Sequence, residues 1–237
     1  MRVAFLADIH ANLSALTAVL NDMPPVDAIV CLGDVVGYYA EPNEVCELLR
    51  TRNVPTIRGN HDAYVTGELA PHPERISAYR TVWTKQTLTS DNIDWLRSLP
   101  ISLKFEWDKQ HVQLRHATPW DEEAYLYPDS DRLADIKLAR NQFLALGHTH
   151  WPMIRHCGEG TLFNPGSVGQ PRDCNPKAAY AILNCASGDI EFRRVSYDVA
   201  ALQERLRRLG WEPASIAILS RTSRNENGQA KQCTQLR

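Results

Sequence analysis

Five apolar runs in this chain end in groups that carry chemistry, and that repetition constrains the fold more than any other feature. Ile29-Val30-Cys31-Leu32 is closed by Gly33-Asp34. Val3 to Ala7 runs into Asp8-Ile9-His10, and Val54 to Ile57 into Arg58-Gly59-Asn60-His61. Val112 to Leu114 runs into Arg115-His116, and Phe143 to Leu146 into Gly147-His148-Thr149-His150. A strand buried on both faces reads as a continuous apolar run, and open α/β sheets bind ligands beyond the carboxyl ends of such strands. Two carboxylates, an amide and five imidazoles thus follow five candidate strands, which argues for one convergent site.

Between these strands the spacing changes to that of helices. Leu13, Leu16 and Leu20 share one face of a segment from Asn12 to Asn21, closed by Pro24-Pro25. Pro42 to Arg50 repeats the pattern with Val45, Leu48 and Leu49. This βαβαβ opening predicts right-handed crossovers and a largely parallel sheet. Residues 62–98 read as a helical insertion, broken at Pro71 and Pro73 and covering one edge of the site. Beyond Pro100 the chain predicts a hairpin across Asp108-Lys109, a short helix from Asp131 to Ala139, and a second hairpin through Ser187-Gly188. A closing amphipathic helix spans Val199 to Leu209, and the polar, aperiodic stretch 221–237 reads as a frayed tail on one domain spanning 1–220.

Composition excludes several function classes. A net charge of −2 offers no global attraction for nucleic acid or an anionic membrane, and no basic stripe supports specific nucleic-acid binding. No apolar run approaches the roughly 20 residues that span a bilayer. Met1-Arg2-Val3 enters a strand at once, so a signal peptide is not expected and a cytoplasmic location is. The six cysteines include no Cys-x-x-Cys pair, which argues against a zinc ribbon or a disulfide framework. Cys31 and Cys185 read as small buried hydrophobes. The oligomeric state is left open.

The strand ends themselves predict metal. Residues two apart in an extended segment point the same way, so Asp8 with His10, and His148 with His150, can each address one point. Oxygen ligands mixed with imidazoles suit manganese first, with iron, zinc, nickel or cobalt also accommodated, and the absence of thiolates disfavours a structural zinc site. Asp8, His10, Asp34, Asn60, His116, His148 and His150 exceed the needs of one tetrahedral ion. They suffice for two divalent ions if one carboxylate bridges. Such a pair lowers the pKa of a shared water toward neutrality and clamps the oxygens of an in-line displacement. Its residual positive charge attracts phosphate.

Taken in order, Asp8-x-His10, Gly33-Asp34, Gly59-Asn60-His61-Asp62, His116 and Gly147-His148-Thr149-His150 resemble the calcineurin-like metallophosphoesterases. The resemblance runs from residue 3 to about residue 197. Asn164-Pro165-Gly166-Ser167 looks like the turn of the small bacterial phosphodiesterase branch. It implies an α/β, four-layer αββα sandwich of two mixed sheets flanked by helices. It also implies one metal on Asp8, His10, Asp34 and His150, another on Asp34, Asn60, His116 and His148, and His61 as the catalytic group beside the leaving oxygen. The implied activity is hydrolysis of a small phosphoester or nucleotide, with diadenosine tetraphosphate as the leading specific substrate. The alternatives are a protein phosphatase or, in the manner of the retromer scaffold subunit, a non-catalytic member. The protein-phosphatase branch orients its histidine with an aspartate three residues after the bridging one, and here that position is Gly37.

Outside the motif set the assignments divide. Arg172 reads either as a bidentate phosphate clamp or as a solvated turn residue. Tyr38 and Tyr39 read as stacking partners for a base, or as core. Asp62 reads as a cap on the helix that follows. His72, His111 and His156 read as ordinary surface residues.

Overall fold

A computed structural model describes residues 1–222 of the chain, and the tail expected at 221–237 lies almost wholly outside them. Two mixed sheets face one another. The first has the order β2-β1-β8-β9, where β1 is Arg2–Leu6, β2 Ala28–Cys31, β8 Ala178–Asn184 and β9 Asp189–Val195. The second has the order β3-β4-β5-β7-β6, where β3 is Ser102–Trp107, β4 Gln110–Arg115, β5 Gln142–Ala145, β6 Met153–Cys157 and β7 Gly160–Asn164.

Alternation along β1 shows why the sheets stack. Val3, Phe5 and Ala7 point into the layer between the sheets, where they meet Leu114, Phe143 and Phe163. Ala4 and Leu6 point the other way, against helices α1 (Leu13–Asp22) and α2 (Pro42–Thr51), whose inner faces carry Leu16, Val19, Val45 and Leu49. Asn12 caps α1 by accepting the Ala15 amide. The outer face of the second sheet is covered by Leu126, Ile136 and a 3₁₀ turn at Asp131–Asp135, where a longer helix was expected.

Two further expectations are corrected. The opening does not build a largely parallel sheet, because β1 pairs in parallel with β2 but antiparallel with β8. The third strand shrinks to a single bridge between Thr56 and Cys31. Pro55 has no N–H to extend the ladder, and the Arg58 amide turns away to the Pro100 carbonyl.

Residues 60–98 form α3 (Asn60–Thr66), α4 (Ile76–Tyr79), α5 (Thr81–Thr87) and α6 (Ser90–Ser98). Helices α7 (Val199–Arg208) and α8 (Pro213–Ala217) close the described chain. Leu202 and Leu206 of α7, with Trp211 between the two helices, pack against Tyr38, Tyr39 and Trp83. Cys31, Cys46, Cys157 and Cys185 are free and buried. No helix among the described residues is long and apolar enough to cross a membrane.

Candidate metal centre

The carboxyl ends of β1, β2, β4 and β5 and the start of α3 bring all seven expected ligands to one buried point. One group unites Asp8, His10, Asp34 and His150, and a second unites Asp34, His116 and His148, the ligand atoms of each lying within 4.8 Å of one another. Asn60 joins the second group, with its Oδ1 3.0 Å from His116 Nε2 and 2.9 Å from His148 Nδ1. Asp34 belongs to both groups.

The backbone that achieves this is not extended, as the sequence argument supposed. Asp8, His10, Asp34, His148 and His150 all adopt left-handed φ, between 52° and 67°. For non-glycine residues that conformation costs on the order of 1–3 kcal/mol each, and it persists only where the surroundings hold it. Here amide bonds continue the β1–β2 pairing past the strand ends, from Asp8 N to Gly33 O, His10 N to Asp34 O and Ala11 N to Val35 O. Gly33 and Gly59 permit the approach of the neighbouring loop. A Cβ on Gly33 would lie 2.5 Å from Gly59 N, and one on Gly59 would lie 2.1 Å from Asp34 Oδ1. Asp34 Oδ1 consequently accepts the His61 amide at 2.9 Å.

The Asn164-Pro165-Gly166-Ser167 turn acts on the same loops, a role the sequence did not disclose. Asn164 Nδ2 donates to Gly147 O at 2.6 Å and to Thr149 Oγ1 at 3.1 Å. Ser167 Oγ donates to Asp8 O at 2.7 Å. Both side chains are fully buried.

Donor chemistry tests whether cations fit. Three imidazoles give Nδ1–H to a backbone carbonyl: His10 to Val36, His116 to Leu32 and His150 to Gln170. His148 gives its Nε2–H to the Glu123 carbonyl. Each ring is thereby fixed in one tautomer with its remaining lone pair turned inward, the arrangement that outer hydrogen bonds impose on metal-ligating histidines. Those lone pairs meet carboxylate and amide oxygens, and Asp8 Oδ2 is buried with no hydrogen-bond partner. A cluster of buried acceptors facing acceptors is costly unless cations occupy its centre.

Electrostatics agree for three of the four rings. Burial holds His10 and His150 well below the ordinary imidazole range and brings His148 down to about 3, so these rings are neutral and able to ligate. Burial also raises Asp8 to about 7, with the Asp34 charge adding to it. Burial disfavours charge on His116 as well, yet Asp34 and Asp8 together push that ring up to about 10, so without a cation it keeps a proton on Nε2 that metal binding would displace.

The other candidates fall into place around the centre. Asp62 caps α3, its carboxylate accepting the amides of Gly59 and Val36 at 2.9 and 3.1 Å. Tyr39 is fully buried, its hydroxyl accepting from Gln170, so it is core rather than a stacking surface. Arg172 is not a solvated turn residue. Its guanidinium donates to Tyr38 Oη at 3.1 Å and to Gln170 Oε1 at 3.2 Å, and no carboxylate pairs with it among the described residues. His72, His111 and His156 are exposed, and only His72 borders the cleft beside the centre. Sequence reasoning passed over Tyr64, Tyr79 and Tyr125, all lining the cleft, because each reads locally as an ordinary amphipathic or loop aromatic.

A calcineurin-like phosphoesterase superfamily domain matches residues 1–188. The chain is 37% identical to an uncharacterized protein of Methanocaldococcus jannaschii over 224 residues, covering 86% of this chain and 91% of that one. It is 31% identical to the phosphodiesterase YfcE of Escherichia coli over 197 residues, covering 78% and 88%. A crystal structure of a metallophosphoesterase from Sphaerobacter thermophilus superimposes with a TM-score of 0.78 at 31% identity, over 93% of this chain and 98% of that one. With its two mixed sheets and its buried His/Asp cluster, the chain belongs to the calcineurin-like phosphoesterase superfamily and is a metal-dependent phosphoric ester hydrolase.

Proposed function

We propose that the chain hydrolyses small phosphodiesters or nucleotide phosphoanhydrides, with dinucleoside polyphosphates such as diadenosine tetraphosphate as the leading specific substrate. Two divalent ions, manganese first, are the proposed cofactors. Asp8, His10, Asp34 and His150 would hold one, and Asp34, Asn60, His116 and His148 the other. When bound, such ions activate water at neutral pH and neutralise charge building on the phosphate oxygens.

The observation that carries this reading is the cleft beside the ligand cluster. It encloses about 1010 Å³, at the upper end of the range for small-molecule sites, about 300–1,000 Å³. Helix α4 and the turn before it wall one part, and α8 and its continuation wall another. That enclosure favours a small ligand over a folded phosphoprotein. Two near-parallel tyrosine pairs line it, Tyr64 with Tyr79 and Tyr125 with Tyr127, each with an interplanar angle of 5°. They offer flat surfaces to aromatic groups of a substrate. Arg172 would grip a phosphate oxygen with guanidinium donors that no carboxylate neutralises, beside Tyr38. His61 would stand at the leaving oxygen. Burial lowers its ring to about 4, so it would offer the N–H of a neutral imidazole.

Turnover of diadenosine tetraphosphate, a cyclic nucleotide, bis-p-nitrophenyl phosphate and a phosphoserine peptide under identical metal loading tests the proposal. The expected result is a kcat/KM for one of the small esters far above that for the peptide. A phosphopeptide preferred by orders of magnitude replaces this reading with a protein phosphatase.

A further inference from the structure

His61 has no carboxylate to orient it. Gly37 stands where the protein-phosphatase branch has an aspartate, and a side chain there is sterically barred: its φ is +91°, and a Cβ would lie 2.6 Å from His61 Nδ1 and 3.2 Å from Cγ. The adjacent Asp62 directs its two oxygens at the Gly59 and Val36 amides instead. Among the described residues neither ring nitrogen of His61 has a hydrogen-bond partner. What surrounds the ring is aromatic. Tyr79 lies 4.4 Å away between centroids, Tyr38 4.8 Å, His10 4.9 Å and Tyr64 5.5 Å.

These rings come from separate parts of the chain and are tied to each other. Tyr38 follows β2, Tyr64 lies in α3 and Tyr79 ends α4. The Tyr38 amide donates to the Tyr79 carbonyl at 3.0 Å, while the Tyr38 carbonyl accepts Trp211 Nε1–H at 2.6 Å. Tyr38 itself sits at a left-handed φ of 59°. A strained residue pinned from both sides is a fixed wall, not a mobile lid.

We infer that a tyrosine collar, with Tyr79 as its principal positioning residue and Tyr38 supporting it, holds the His61 ring in its working orientation in place of a carboxylate. The inference rests on the proposed station of His61 at the leaving oxygen. Packing on the faces and edges of an imidazole fixes its plane without engaging a ring nitrogen in a hydrogen bond. Displacing a reacting group by about 1 Å costs on the order of 10²-fold in rate, so fixing that plane matters to turnover.

The test compares Tyr79→Leu, Tyr79→Phe and His61→Gln on phenyl and p-nitrophenyl phosphodiesters, whose leaving groups differ in their need for an N–H donor. Tyr79→Leu is expected to lower kcat on the phenyl ester about 10- to 100-fold and on the p-nitrophenyl ester by only a few fold, following His61→Gln in direction. Tyr79→Phe recovers most of that loss. Equal losses on both esters, or a change confined to KM, overturn the inference and make Tyr79 a cleft wall alone. Should Tyr79→Leu fail to fold, Tyr79→Met, which keeps more of the side-chain volume but removes the ring, is read on the same pair with the same expectation. A second measurement is independent of turnover: in zinc-loaded, histidine-labelled protein, the His61 ring resonances stay sharp in the wild type and broaden in Tyr79→Leu. Unchanged resonances overturn the collar whatever the assays give, whereas absence of wild-type turnover on any phosphoester fails the proposed function instead.

Discussion

The Nε2 atoms of His10 and His150 face each other at 3.0 Å, although each ring has already given its Nδ1–H to a backbone carbonyl. Two lone pairs at that separation repel unless a cation lies between them and Asp34, whose Oδ2 is 3.6 Å from His10 Nε2. Reconstituted protein is therefore expected to hold two divalent ions per chain, because the second group gathers His116 Nε2 and His148 Nδ1 at 3.0 and 2.9 Å around Asn60 Oδ1, beside the same Asp34. Elemental analysis reads the stoichiometry. A single ion that persists at saturating metal would refute the shared carboxylate.

Asp34 and His61 are expected to separate in mutants. Asp34→Asn removes the one carboxylate common to both groups, so metal content and activity fall together. His61→Gln leaves metal content intact while the rate drops by about 10² to 10⁴, the usual scale for proton-transfer help. Metal analysis alongside kcat distinguishes them, and full activity in His61→Gln removes that residue from the reaction.

Metal-free protein is expected to lose stability as pH rises above 7. Asp8 is lifted from 3.8 to about 7 by burial, so its contribution is complete below pH 3.8 and gone above about 7. His116 is raised from 6.5 to about 10 despite its burial, by Asp34 and Asp8, so its contribution is complete below 6.5 and gone above about 10. The lowered imidazoles of His10, His61, His148 and His150 act with the opposite sign, adding stability as pH rises to about 6.5. Thermal unfolding of the metal-free chain from pH 7 to 9, where only the raised groups still titrate, should therefore show a falling Tm. Adding manganese should restore stability most at the alkaline end. A Tm that rises over this range without metal contradicts the assignment.

Trp211 ties three segments together. Besides its bond to the Tyr38 carbonyl, its ring receives the Arg80 guanidinium at 4.0 Å and the edge of Trp83 at 4.8 Å, and it is 4% exposed. Trp211→Ala is expected to cost about 3–5 kcal/mol in unfolding free energy. Trp211→Phe keeps much of the packing but strands a buried carbonyl, for about 1–3 kcal/mol. Denaturant titration measures both, and equal stability of the two variants would mean that the hydrogen bond carries the effect.

Much of the fold was legible because it is written in short windows. The alternation of Val3, Ala4, Phe5 and Leu6 between two cores, the helical spacing of Leu13, Leu16 and Leu20, and the polar groups after each strand can all be read within about ten residues. The same locality explains the ligand set, since a strand end places whatever follows it at the mouth of the sheet. The errors were local as well. Pro55 was a visible reason to doubt a third strand, and nothing near Asp8 or His148 announces a left-handed φ.

What tertiary structure alone decided lies in contacts between distant positions. Gly37, Tyr38 and Tyr79 meet around the His61 imidazole, and Trp211, far along the chain, holds Tyr38 from behind. Strained conformations at the strand ends depend on partners across the loops, such as the Gly33 carbonyl for Asp8 and the Ser167 hydroxyl on the Asp8 carbonyl. Periodicity reports which face of an element is apolar. It carries no information on which remote ring or carbonyl that face will meet, because that choice is made by packing the whole chain at once.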